Sequence, residues 1–210
     1  MLRAMPLVFC LVIACSCTTP SPKHVSALVE QLVSPSGPPG PEITDYTGGK
    51  EDKKKFEASL KALFEGYEHP RVAKARTKLV AMGTPIFLEL VKHLQDKRYS
   101  YSFCSAAWED YSVGDTVERI MAEVVGGRFS PYGYKWRQNA HGSNGQPSFG
   151  KMLREFGAEK YAQHVQGMTR DQAAKEYVEW YLETEKGYGF ADPQQEEQIL
   201  APCLKRLSQL

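Results

Sequence analysis

Proline placement constrains this chain more than any other feature. Seven of its 13 prolines, Pro6, Pro20, Pro22, Pro35, Pro38, Pro39 and Pro41, fall before Lys50. Proline lacks a backbone N–H and clashes with the preceding turn, so helix interiors reject it. The chain therefore divides into two unlike parts. Residues 15–49, rich in Pro, Gly and Ser, are expected to form a disordered tether. Residues 50–210 are expected to form the folded body. Of the 210 residues, 42% are hydrophobic and 24% charged, which suits a globular body and excludes wholesale disorder. Lys+Arg number 26 against 25 Asp+Glu, a net charge of +1. Charge-driven nucleic-acid binders carry a clear basic excess, so no nucleic-acid partner is expected.

At the N-terminus, Arg3 precedes the unbroken apolar run Leu7 to Ala14. That run is far shorter than the roughly 20 residues needed to span a bilayer as a helix. A charged start, a short apolar stretch and a small final residue read as a secretory signal over residues 1–14. Val12-Ile13-Ala14-Cys15 resembles the lipobox of bacterial lipoproteins: an aliphatic residue, a tolerant position, a small residue, then cysteine. The resemblance implies cleavage before Cys15, lipidation of its thiol and attachment to a membrane of the cell envelope. The alternative is an ordinary signal cut near Ala14, leaving Cys15 and Cys17 as plain thiols. Ser16, standing where Asp would retain a lipoprotein at the inner membrane, resembles the outer-membrane sorting pattern and points to its periplasmic face. Inside the tether, residues 24–33 have the spacing of a short amphipathic helix with Val25, Leu28, Val29 and Leu32 on one face. So short a helix is marginal alone in water and needs the membrane or the domain to dock on.

Beyond Lys50 the apolar residues recur at helical spacing. Phe56, Leu60, Leu63 and Phe64 mark a helix over about Glu51 to Tyr67. Pro70 opens a second helix with Val72, Ala75, Leu79 and Met82 on one face, and Gly83 stops it. Thr84 and Pro85 look like the N-cap and first-turn proline of a third, carrying Ile86, Phe87, Leu90, Val91 and Leu94. Arg71 to Gly83 followed by Pro85 to Asp96 resembles a HEAT repeat, with its tight Met-Gly turn and Pro-started second helix. HEAT-like arrays serve as binding scaffolds, so the resemblance implies interaction more than catalysis. Further helices are expected from Ser112 or Asp115 to Gly126, over Phe149–Phe156, over Ala158–Val165, from a Thr169–Gln172 capping box to about Lys186, and from Pro193 onward. Pro202 is expected to kink or divide the last. The expected fold class is all-α: an irregular helical domain of about six to eight helices with an antiparallel HEAT-like pair.

Two aromatic segments, 98–112 and 128–148, break the helical pattern. In the first, Tyr99, Tyr101 and Phe103 alternate with serines, which suggests an extended piece, and Trp108 and Tyr111 follow. The second holds Tyr134, Trp136 and His141. Aromatic faces stack on sugars or hold peptides, so Tyr99, Tyr101, Trp108, Tyr111, Tyr134 and Trp136 are the candidate binding residues. The competing reading is that they fill gaps between helices. No metal-ligand spacing, nucleophile elbow, phosphate loop or dinucleotide fingerprint is present, so no metal or cofactor is expected. His141 with Asp110 or Glu109 is the remaining acid–base pairing. Cys104 and Cys203 can be a disulfide or two buried thiols. The expectation is a lipid-anchored envelope protein, not an enzyme, binding a protein partner. Cell-wall glycan held in an aromatic groove and a His–carboxylate hydrolase are the alternatives.

Overall fold

A computed structural model describes residues 20–38, 69–104, 108–126, 148–188 and 193–210. The expected signal, Cys15, the helix expected over Glu51 to Tyr67, and Tyr134, Trp136 and His141 lie outside the described residues. So do the side chains of Phe103, Cys104, Trp108 and Glu109.

The first helix, α1 (Pro22–Glu30), starts two residues before its expected position. Ser21 is the N-cap, its hydroxyl accepting the His24 N–H, and Pro22 occupies the first turn, where a missing N–H costs nothing. Val25, Leu28, Val29 and Leu32 are all buried, so the predicted apolar face faces the body. Of the two surfaces expected for this short helix, membrane or domain, its apolar face is on the domain, so this part of residues 15–49 is packed and not spacer. Pro22 stands at the helix start, where its fixed φ favours the first turn, and so does not interrupt it.

Helix α2 (Pro70–Met82) buries Val72, Ala75 and Leu79 and ends at Gly83, whose φ of 75° only glycine adopts without strain. The expected third helix is not continuous. It is a 3-10 turn (Thr84–Ile86), a single α turn, α3 (Phe87–Leu90), and a second 3-10 turn (Val91–His93). Thr84 does not cap it. Its hydroxyl instead donates to the Met168 carbonyl at 2.6 Å, tying this turn to the C-terminal half. Ile86, Phe87 and Leu90 still reach the core. Helix α1 packs against both α2 and α3, and α2 also packs on the helix that follows the hairpin.

That hairpin comprises β1 (Tyr99–Cys104) and β2 (Trp108–Ser112), antiparallel, the one departure from helix among the described elements. Helix α4 (Val113–Val124) follows without a break and contributes Val113, Val117, Ile120, Met121 and Val124 to the core. Helices α5 (Phe149–Phe156) and α6 (Ala158–His164) meet at Gly157, φ 81°. The capping box before α7 (Arg170–Tyr188) forms as expected: Thr169 N–H donates to Gln172 Oε1, and Gln172 N–H to Thr169 Oγ1. Helix α8 (Pro193–Leu207) packs on α7 and runs undivided past Pro202. Cys203 is buried there. Eight α-helices among the described residues, around one apolar cluster, make the body mostly helical.

The docking of α1 is testable. Truncating a fully buried leucine leaves a cavity, so Leu28→Ala is expected to lower unfolding stability by about 3 kcal/mol, read as a fall in the urea midpoint. A change within about 0.5 kcal/mol, as for a surface position, is the result that contradicts core placement.

Candidate functional site

The hairpin carries most of the sequence-predicted binding residues. Its register pairs Tyr101 with Tyr111 but Tyr99 with Ser112, so β1 holds one extra residue, Ser100, in a bulge. A bulge inverts the alternation of side chains beyond it. Tyr99 and Tyr101, expected on one face, therefore lie on opposite faces.

The inner face holds Tyr101 and Tyr111, their rings 5.1 Å apart. Tyr101 is 3% exposed, with the Arg76 guanidinium 5.5 Å from its ring centroid. Arg119, from α4, lies 3.9 Å from the Tyr111 centroid and donates to the hydroxyls of Tyr101 and Tyr111 at 3.2 and 2.7 Å. Two cations against two electron-rich faces form a strong local clamp. Tyr101 thus belongs to the core, whereas half-buried Tyr111 also shows an edge outward.

The outer face carries a hydrogen-bond chain. Tyr99 Oη lies 2.7 Å from Ser102 Oγ, which donates to Asp110 Oδ1 at 2.5 Å. Beside this chain is an open cleft of about 260 Å³ lined by Pro38, Lys97, Tyr99, Asp110, Tyr111, Ser112 and Asp115. Four features build it. Ser34 N–H donates to the Tyr99 carbonyl at 3.0 Å, laying the segment after α1 along β1 and bringing Pro38 to the cleft. Arg98 N–H and Nε contact Asp96, and its guanidinium grips Glu30 with two bonds of 2.8 Å, fixing the hairpin base to α1. These hydrogen bonds hold the Glu30 and Asp96 carboxyls below the usual carboxylate range. Finally, Ser112 and Asp115 form a reciprocal capping box that starts α4.

The run Tyr111-Ser-Val-Gly-Asp115 is thereby accounted for residue by residue. Tyr111 stacks on Arg119, Ser112 and Asp115 cap, and Val113 N–H donates to the Arg98 carbonyl at 2.8 Å. Gly114 presses on the Leu94–Asp96 backbone, where a Cβ would come within 2.3 Å of the Leu94 carbonyl oxygen. Gly114→Ala is expected to destabilise the body by about 2 kcal/mol through backbone displacement, measured by thermal unfolding. An unchanged Tm would rule out that close approach.

Groups for chemistry are sparse among the described residues. Asp110 is exposed at the cleft, while His141 and the side chain of Glu109 lie outside what the structure describes. The described histidine–carboxylate pair is His164 with Glu176, 2.8 Å apart between α6 and α7, and neither lines the cleft. Sequence spacing offers no signal for it, because twelve residues and a turn separate the two. Among the described residues no group of His, Cys, Asp and Glu is placed to hold a metal. No described helix is long and apolar enough to cross a membrane. No family model, curated protein or solved structure matches this chain.

Glu118, one turn beyond Asp115, was missed by sequence reasoning. Its carboxyl group lies where a Cβ on Gly150 would sit, pressed against the first turn of α5. Burial pushes its pKa up, with Arg154 opposing. A carboxyl raised in the folded state binds its proton more tightly there than in the unfolded chain. Its contribution to stability is therefore present at low pH and lost as pH rises through the folded pKa. Glu118→Gln should raise Tm at pH 7 and lose that advantage as pH falls through the carboxylate range. A pH-independent difference would show that burial is not the dominant effect.

Proposed function

We propose that this chain is an exported envelope protein, anchored by lipid at Cys15, whose helical body is a non-catalytic interaction module that takes a protein partner at the hairpin cleft. The observation that supports the reading is the cleft itself. It gathers Tyr99 and Tyr111 with Asp110 and Asp115, and with Lys97 also in the lining. At about 260 Å³ and open, it falls below the usual size of an enclosed small-molecule site and suits a segment of a larger surface. Two carboxylates against one ammonium leave it net acidic, and aromatic rings beside carboxylates complement a cationic side chain on an extended stretch of polypeptide. The apolar run ending in Val12-Ile-Ala-Cys15 and the serine at position 16 support export, lipidation and a place on the periplasmic face of the outer membrane.

The test is equilibrium binding of extended peptides carrying Arg or Lys to the mature chain bearing Cys15→Ser. Tyr99→Ala and Asp110→Asn should each weaken binding about tenfold, the scale of one charge-assisted hydrogen bond or ring contact. Soluble peptidoglycan fragments binding in the peptides' place, with the same two variants sensitive, would move the partner from protein to cell-wall glycan. Binding that both variants leave unchanged would remove the cleft as the site.

A further inference from the structure

We infer that the body sits directly on the bilayer with the N-terminal end of α1 against the lipid headgroups, an inference that rests on the anchor at Cys15 proposed above. Its basis is where the folded body begins. The chain advances seven residues from Cys15 to Pro22, the first residue of α1. Seven residues cover at most about 25 Å fully extended. A flexible chain of that length would span about 15 Å root-mean-square. A spacer running to residue 49 would reach about twice that distance. The shorter figure applies because Val25, Leu28, Val29 and Leu32 are each 0–2% exposed, so α1 is body and not spacer. A folded body of this size has a radius of about 20 Å. A link whose root-mean-square span is below that radius, and whose full reach exceeds it by only about 5 Å, biases the end it is attached to toward the membrane.

The chemistry of that end fits the surface it meets. The first turn of α1 holds no acidic residue, and Lys23 and His24 are exposed. The carboxylate beside Ser26 belongs to Glu89, which accepts the Ser26 hydroxyl at 2.7 Å and pairs with Lys92. Anionic phospholipid headgroups attract such a surface. The opposite end of α1 leads elsewhere. Glu30 binds Arg98, and Ser34 binds the Tyr99 carbonyl, so the hairpin joins α1 at its far end. The nine residues of α1 rise about 13 Å between the two. The seating thus leaves the cleft beyond the far end of α1, open to the aqueous phase.

The experiment uses the full chain, made in lipidating cells and reconstituted in phosphatidylethanolamine–phosphatidylglycerol vesicles. Photo-reactive benzoylphenylalanine replaces Lys23 in one sample and Pro38 in another, and lipid adducts are counted by mass spectrometry. Adducts should concentrate at position 23. Inserting twenty Gly/Ser residues between Thr19 and Pro20 should lower them about sevenfold, the fall in effective concentration for that lengthening, with fatty-acid label on Cys15 retained. Equal adducts at both positions in labelled protein would overturn the seating and leave the anchor standing. Absence of a label that Cys15→Ser removes would overturn the anchor, and the seating with it.

Discussion

The burial of one face of α1 is the constraint on which the rest of the structure depends. Four aliphatic side chains, Val25, Leu28, Val29 and Leu32, fill the space between α2 and α3. Each contributes about 1.5–3 kcal/mol on burial. The ion pairs around the same helix, Arg98 with Glu30 and Lys92 with Glu89, join side chains that are at least partly exposed, and such pairs are worth about 0–1 kcal/mol each. The apolar face therefore holds α1 in place, and the ion pairs set its orientation. Without α1 the apolar faces of α2 and α3 lose one shared partner and keep α4, and the hairpin loses the helix to which Arg98 fastens it.

Much of the fold was legible because its boundaries are written in local chemistry. Gly83 ends α2, Ser112 and Asp115 cap α4, Gly157 separates α5 from α6, and Thr169 with Gln172 starts α7. Each depends on residues within a turn of one another, which is the range over which a single sequence is informative. The misreadings lie where a residue's meaning depends on something distant. Thr84 looks like an N-cap locally, but its hydroxyl goes to Met168, 84 residues on. Pro22 looks like part of a Pro-rich tether until the body supplies a surface for the helix it opens.

The candidate site was legible only in part, for a similar reason. Aromatic alternation in β1 marks an extended strand, and the structure has one. Which face each ring takes depends on the bulge at Ser100, and strand pairing is not a local property. The bulge sends Tyr101 into the Arg76–Arg119 clamp and Tyr99 to the cleft. Asp110 and Asp115 were visible as acids, but their neighbourhood with Lys97 and Pro38 arises from the fold. Pro38 reaches the cleft only because the Ser34 amide pairs with β1.

The same connections decide how the site relates to the rest of the molecule. Arg98 bonds to Glu30 of α1 and to Asp96 at the hairpin base, and its carbonyl accepts Val113 N–H at the start of α4. One residue therefore joins the first helix, the hairpin and the helix that completes the cleft wall. Because the guanidinium forks to two carboxylates, the angle between α1 and the hairpin is set by paired bonds, not by a single pivot. These bonds couple the orientation of the cleft to that of α1. A cleft built this way takes its orientation from α1, at the N-terminal end of the described body.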